Sequence, residues 1–221
     1  MIKFTTLPFE NRDIIHWPVH IIYRLRGSIP HARVYRLKID YELALTAAWA
    51  NDHATVRSFL RTDDTSVEAV KAAFQRKYDE LLHQSTTGPY WLEDPRLQRE
   101  VINSWLHLEK GGHITLHAVS VMGNHVHALV QHPQEGGETD IRWLMEQHKR
   151  YTGMKNNRHL GRTGERFWAP GCFDRDVRVG KFRVVLAYVL NNPVKAGLTT
   201  TPLDWSGNYL SPAMREFVLY A

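Results

Sequence analysis

Two histidines separated by a single residue, His125 and His127, have the spacing best suited to chemistry in this chain. In an extended segment successive side chains alternate between faces. Both imidazoles therefore leave one side of a strand, while Val126, Ala128 and Val130 leave the other and can pack against helices. Two imidazoles placed this way can chelate one divalent ion. The plainer alternative is a pair of surface histidines, since the chain has 13. A second pair, Tyr188 and Asn192, lies four residues apart, which puts both on one face of a helix, a turn from each other. A tyrosine in a short helix is most simply a packing residue with a wet hydroxyl, and asparagine before Pro193 a turn former. In the last turn of a helix, however, the asparagine side chain is free to leave the helix surface.

These residues need elements to hold them. Residues 114–122 and 125–131 are extended runs separated by Gly123-Asn124, the pattern of a hairpin closed by a type II′ turn. A two-residue turn sets His127 opposite Ser120 and His125 opposite Met122, and the small Ser120 and Ala118 leave room above the sheet. Residues 181–191 read as a short helix terminated at Asn192-Pro193, because a residue before proline is pushed out of the α region. Upstream, residues 19–25 and 33–39 read as strands joined through Gly27, Ser28 and Pro30. Residues 41–60 and 66–83 read as helices, the second with Val67, Val70, Ala73, Phe74 and Leu81 near helical spacing. Thr86-Thr87-Gly88-Pro89 is a break, after which Asp94 caps and Pro95 opens a helix that Gly111-Gly112 stops. A helix over 139–154 and a short strand over 172–177 complete the reading, which contains no internal repeat. Strands and helices alternating in this way predict an α+β fold with an antiparallel sheet.

Composition bounds the function classes. A chain of 221 residues that is 43% hydrophobic and 11% aromatic can bury a core and is too apolar to be disordered. The single cysteine, Cys172, excludes an internal disulfide framework and a cysteine-built zinc site, and suits a reducing compartment. Residues 1–11 lack a basic-then-apolar signal pattern, and the charge-free stretch 114–131 carries three histidines and is a poor membrane helix. The expectation is a soluble, cytoplasmic protein with no membrane partner. Its net charge of +5 is unevenly spread: residues 149–183 carry ten basic and three acidic side chains (+7), residues 19–38 five basic and none acidic (+5), so the rest sums to −7. Basic segments interleaved with Tyr23, Tyr35, Tyr151, Phe167 and Trp168 suit a surface that tracks phosphates and stacks bases. The candidate nucleic-acid contacts are Arg24, Arg26, Lys149, Arg150, Lys155, Arg158, Arg162, Arg166, Arg175 and Arg178, with Tyr151 and Trp168 as stacking platforms; the plainer alternative is a solvated surface.

Together these pieces resemble one family. The run Val121-Met122-Gly123-Asn124-His125-Val126-His127-Ala128-Leu129-Val130 resembles the HUH motif of single-tyrosine transposases, specifically the REP-associated tyrosine transposases. A second match comprises Phe167-Trp168, the stretch from Phe173 to Arg178, and Tyr188-Val189-Leu190-Asn191-Asn192-Pro193-Val194-Lys195-Ala196-Gly197-Leu198. Weaker matches lie at Lys149-Arg150-Tyr151-Thr152, at Asn157-Arg158 and in the first strand. The resemblance spans residues 17–205 and is most specific over 119–131 and 166–198. The family usually has proline at the position of Gly123, and the region 41–90 is longer than the family requires, so it is expected to be a helical insertion within a single domain spanning 1–221.

The resemblance implies a ferredoxin-like antiparallel sheet with helices on one face and the tyrosine helix across the other, active-site face. It implies that Tyr188 is the nucleophile and that His125, His127 and the amide oxygen of Asn192 hold Mg²⁺ or Mn²⁺. The implied activity is cleavage and rejoining of single-stranded DNA through a 5′-phosphotyrosine, on hairpin or palindromic repeat DNA such as REP elements, in the service of DNA transposition. The enzyme would act as a monomer or homodimer. The alternative is a non-cleaving hairpin-binding protein derived from a transposase, for which the two histidines, Tyr188 and Asn192 would all be unnecessary. A two-histidine phosphoesterase acting on small molecules or RNA would need another pair of polar catalytic groups on a neighbouring strand, and it ranks last.

Overall fold

The computed structural model describes residues 13–14, 17–60, 62–85, 87–134 and 139–215, so the segment 1–11 read for a targeting signal lies outside the described residues. In chain order the elements are strands β1 (Asp13–Ile14) and β2 (Val19–Arg24), then helices α1 (His31–Trp49), α2 (His53–Leu60), α3 (Val67–His83) and α4 (Pro95–Lys110). Strands β3 (Thr115–Val121), β4 (His125–Gln131) and β5 (Thr139–Asp140) follow, then helix α5 (Ile141–His159) and strand β6 (Phe173–Asp176). Helices α6 (Phe182–Leu190) and α7 (Asn192–Lys195) and strand β7 (Asn208–Leu210) complete the set. They divide into two compact units, residues 27–88 and the rest of the chain. No helix among the described residues is long and apolar enough to cross a membrane.

In the larger unit, alternation along the strands sorts side chains onto two faces. Val19, Ile21, Tyr23 and Leu25, with Val119, Val121, Val126, Ala128 and Val130, enter one core with Leu97, Val101 and Trp105 of α4 and Leu144 and Met145 of α5. Each Val, Leu, Ile or Met side chain among them contributes roughly 1.5–3 kcal/mol when fully buried. Helix α4 starts where Asp94 accepts from the Arg96 amide and Pro95 fills the first turn, as its sequence predicts. Asp140 caps α5 in the same way, accepting from the amides of Arg142 and Trp143. The sheet runs β6-β2-β4-β3-β7 and is antiparallel throughout. Taken as β2-α4-β3-β4-α5-β6, this is a βαββαβ unit with its strands in the order fourth, first, third, second. That is the ferredoxin-like arrangement, lengthened at one edge by β7. Helix α6 covers the opposite face, where Leu186, Val189 and Leu190 pack on Ala118, Leu129 and Val177.

The hairpin register is the expected one, with Ser120 opposite His127 and the Met122 amide bonded to the His125 carbonyl at 2.8 Å. The turn itself differs. Gly123 does not have the positive φ that a type II′ turn demands. Glycine is required there by close approach instead: a Cβ would lie 2.8 Å from Tyr90 Cδ1 and 3.1 Å from Glu93 Cγ.

The core beneath the sheet holds one polar chain. Trp105 Nε1 donates to the Tyr23 hydroxyl (3.0 Å), that hydroxyl lies 2.6 Å from His148 Nε2, and His148 Nδ1 lies 2.9 Å from Ser104 Oγ. With the indole N–H donating, the Tyr23 proton goes to Nε2 and the imidazole donates from Nδ1 to Ser104 Oγ, so the first three donors meet acceptors with His148 neutral. Burial pushes the His148 pKa down to about 3, with Lys149 adding repulsion.

The smaller unit corrects the reading of residues 33–39 as a strand: they lie inside α1. Val34 and Leu37 are buried three residues apart while Tyr35 is exposed, so the period is helical, and the apparent alternation came from a window shorter than two turns. The helix expected over 41–60 is divided at Asn51, which adopts a left-handed φ of 57°, before α2 begins. Phe59, Val70, Ala73, Phe74 and Leu82 are buried, and Tyr41 packs on Phe74 with ring centres 4.4 Å apart. The two ends of this unit meet. Ser85 Oγ donates to the Ser28 carbonyl at 2.5 Å, and Gly88, at φ 120°, lies so close to Gly27 that a Cβ would be 2.5 Å from its carbonyl oxygen.

Two outcomes follow from these contacts. Because the folded pKa of His148 lies below its unfolded value, the unfolded chain binds the extra proton, and stability falls as pH drops from about 6.5 toward 3. Urea unfolding at pH 7 and pH 5 should show a loss of about 2 kcal/mol in the wild type that is missing from His148→Gln; equal losses in both would refute it. Gly123→Ala should destabilise by about 1–3 kcal/mol, and Tyr90→Ala in the same chain should recover most of it, as a demand for positive φ would not allow.

Candidate functional site

Strand β4 places His125 and His127 on the face away from α4 and α5, both almost fully buried, with ring centres 4.9 Å apart. One ring nitrogen of each lies within 4.8 Å of the other, a separation that one ion can bridge. What sits behind each ring decides which nitrogen that is. His125 Nδ1 is 2.6 Å from Asn124 Oδ1; an amide oxygen only accepts, so Nδ1 carries the proton and Nε2 the lone pair. His127 Nδ1 is 3.0 Å from Nε2 of His20, whose ring stacks on it with centres 5.2 Å apart. His20 comes from β2, next to Ile22, which pairs with His127, and it shares the His127 face by parity. Sequence reasoning passed over it. Its signal was a lone histidine in an apolar strand, two residues from Ile22 and four from Arg24 on one face.

The tyrosine helix is docked by its apolar residues at i, i+3 and i+4, Leu186, Val189 and Leu190. That docking sets the half-buried Tyr188 against the histidines: its ring centre is 6.0 Å from that of His127 and 5.9 Å from that of His20, close to perpendicular to both. Lys195 Nζ sits 4.2 Å from the centre of the same ring, a cation over its π face. Asn192 is fully buried. Helix α6 ends at Leu190 as expected, but the chain turns straight into α7, where Pro193 is tolerated in the first turn. Asn192 Nδ2 donates back to the carbonyls of Tyr188 (3.0 Å) and Val189 (3.4 Å). With the amide nitrogen so engaged, Oδ1 is a buried acceptor that has no hydrogen-bond partner among the described residues. Such an atom calls for a partner from outside the chain, a water or an ion, as do the buried amide oxygens of Asn156, Asn157 and Asn208. Two imidazoles with their Nδ1 atoms engaged offer a nitrogen pair that fits a divalent ion.

The candidate DNA contacts fall into two groups. Arg24 pairs in register with His125, and Arg175 with His20, so both belong to the histidine face. Lys149, Arg150, Tyr151, Lys155 and Arg158 are carried by α5, which packs on the other face, so the structure does not gather all the basic residues around the histidines. Lys149, Arg150 and Arg166 instead border a groove of about 500 Å³ floored by Met154, Phe167 and Trp168. Lys149 Nζ donates to the carbonyls of Ala169 and Gly171, and its pKa is pushed down to about 8, mainly by burial, with repulsion from Arg24 linking the two groups electrostatically. Tyr151 is exposed, as are Arg26 and Arg178. Arg162 is engaged with Glu165 and stacks 3.8 Å over Trp91. Trp168 is not an open platform: its ring is buried in the core and its N–H donates to Thr152 at 2.9 Å. The thiol of Cys172, pushed up to about 12 by burial, is a packing group.

No protein-family model matches the chain, and no curated protein does. Among solved structures, it is similar to a REP-associated tyrosine transposase bound to a REP hairpin, at 13% sequence identity and a TM-score of 0.47, over 93% of this chain and 80% of that one.

Proposed function

We propose that this protein cuts and rejoins single-stranded DNA through a covalent tyrosine intermediate, with hairpin or palindromic repeat DNA as substrate and DNA transposition as the process served. The observation that carries the reading is the conjunction at α6: Tyr188 abuts the His20–His127 pair while Asn192, one turn on, buries an amide oxygen without a partner. Packing alone requires neither. His125, His127 and Asn192 would hold the divalent ion, and when bound it supplies charge withdrawal from the scissile phosphate.

The chain's own residues would do the rest. Tyr188 Oη attacks phosphorus in line, forming the tyrosyl O–P bond as the P–O3′ bond breaks. The phenolic proton passes to water, the leaving 3′-oxygen takes one up, and the 5′-phosphate stays on Tyr188. One phosphodiester replaces another, so a 3′-hydroxyl can reverse the reaction and reseal the strand without ATP. Lys195 puts a positive charge beside the ring that carries the developing phenolate. The short distance between Tyr188 and His127 in one chain supports action within a subunit, in a monomer or in each half of a homodimer. Arg24 and Arg175 would steer the backbone across the histidine face, and the α5 groove with Lys149, Arg150 and Arg166, together with Tyr151, would hold the flanking strand. Such work belongs in the cytoplasm, where the DNA is.

The test uses labelled single-stranded hairpin DNA and Mn²⁺, read on a denaturing gel. The wild type should give a protein–DNA adduct that Tyr188→Phe and His125→Ala abolish; an adduct surviving Tyr188→Phe overturns the assignment. Hairpin binding with no adduct across several substrates would make the protein a non-cleaving binder. Asn192→Ala should weaken Mn²⁺ binding by more than about tenfold in calorimetry, and unchanged affinity would remove Asn192 from the ligand set.

A further inference from the structure

We infer that His20 is a positioning residue that sets which nitrogen of His127 is offered to the metal; the inference rests on reading His127 as a ligand. A neutral imidazole carries its proton on one nitrogen only, and a ligating histidine must keep that proton on the nitrogen turned away from the ion. For His125 the chain solves this with an obligate acceptor, Asn124 Oδ1, at 2.6 Å. For His127 the group behind Nδ1 is a second imidazole, His20 Nε2, at 3.0 Å. Two tautomeric arrangements satisfy that contact, and they have opposite consequences. If His127 donates from Nδ1, its Nε2 lone pair is available to the ion. If His20 donates from Nε2, the His127 proton moves to Nε2 and ligation through that atom is blocked.

The metal reading requires the first arrangement, because only then does His127 Nε2 carry a lone pair for an ion shared with His125. His20 is 3% exposed, two residues from Ile22, which pairs with His127, and its ring lies within 20° of parallel to that of His127. That packing keeps Nε2 turned toward His127 Nδ1. His20 also meets the edge of Tyr188, so the same ring touches the nucleophile and backs one of the ligands. It thereby couples the placement of the tyrosine helix to the orientation of His127.

The experiment reads the tautomer directly. In ¹⁵N-histidine-labelled protein free of metal, two-bond proton–nitrogen correlations should show His127 protonated at Nδ1 and bare at Nε2. His20→Phe, which keeps a flat ring and removes the acceptor, should lose that single tautomer and weaken Mn²⁺ binding by about tenfold to a hundredfold. His20→Gln, whose amide oxygen also accepts, should return most of the affinity, which a purely packing role for His20 would not predict. His127 protonated at Nε2 in the wild type, or His20→Phe with unchanged tautomer and Mn²⁺ affinity, overturns the inference. Neither reading involves DNA or Tyr188, so a chain that forms no adduct but shows these shifts fails as a nuclease and keeps this device. If the wild type binds no Mn²⁺, the ligand reading fails and the inference is overturned with it. If His20→Phe does not fold, the wild type and His20→Gln still decide.

Discussion

A strand with a two-residue period has no neutral register. Slide β4 by one residue and His125 and His127 enter the apolar core while Val126, Ala128 and Val130 turn toward α6. The site depends on that not happening, and β4 is held against slippage from both sides. It pairs with β2 along its whole length from Arg24–His125 to Val19–Val130, and with β3 through a ladder that absorbs an irregularity between Leu116 and Ala118. The hairpin end is fixed as well, by the Leu25 amide on the Asn124 carbonyl and the Leu92 amide on the Gly123 carbonyl. Everything chemical on the second face inherits its position from this register.

The two faces carry their polar groups differently. Under α4 and α5 the Trp105, Tyr23 and His148 donors each meet an acceptor in a chain that ends at Ser104. Such a chain helps to specify the core. Under α6, Asn192 is buried with an acceptor that the described residues leave unmet, an arrangement that costs roughly 1–3 kcal/mol unless a ligand answers it. The apolar contacts of Leu186, Val189 and Leu190 with the sheet hold the helix there regardless. The fold thus pins the tyrosine helix by burial and leaves the Asn192 amide oxygen unmet among the described residues.

Much of this was legible in the sequence because the signals were local. The hairpin with His127 opposite Ser120, the Asp94-Pro95 start of α4 and the i, i+4 relation of Tyr188 and Asn192 each rest on residues close in the chain. What was missed depends on partners far away. Gly123 is required by the Tyr90 side chain rather than by its own torsion, so the turn could not be typed from two residues. His20 becomes notable only once β2 is laid beside β4, 107 residues on. Trp168 looked like a stacking surface among cations, but its N–H finds Thr152 across the α5 interface and the ring goes inside. Residues 33–39 were misread because a seven-residue window holds fewer than two helical turns.

The meeting of Gly27 with Gly88, and of Ser28 with Ser85, has a consequence for how this protein can change over time. A segment that leaves and returns at a single point closes its own loop, so its length makes no demand on the separation of the strands and helices at either end. A change in the number of residues between Ser28 and Ser85 therefore need not pull Gly27 and Gly88 apart.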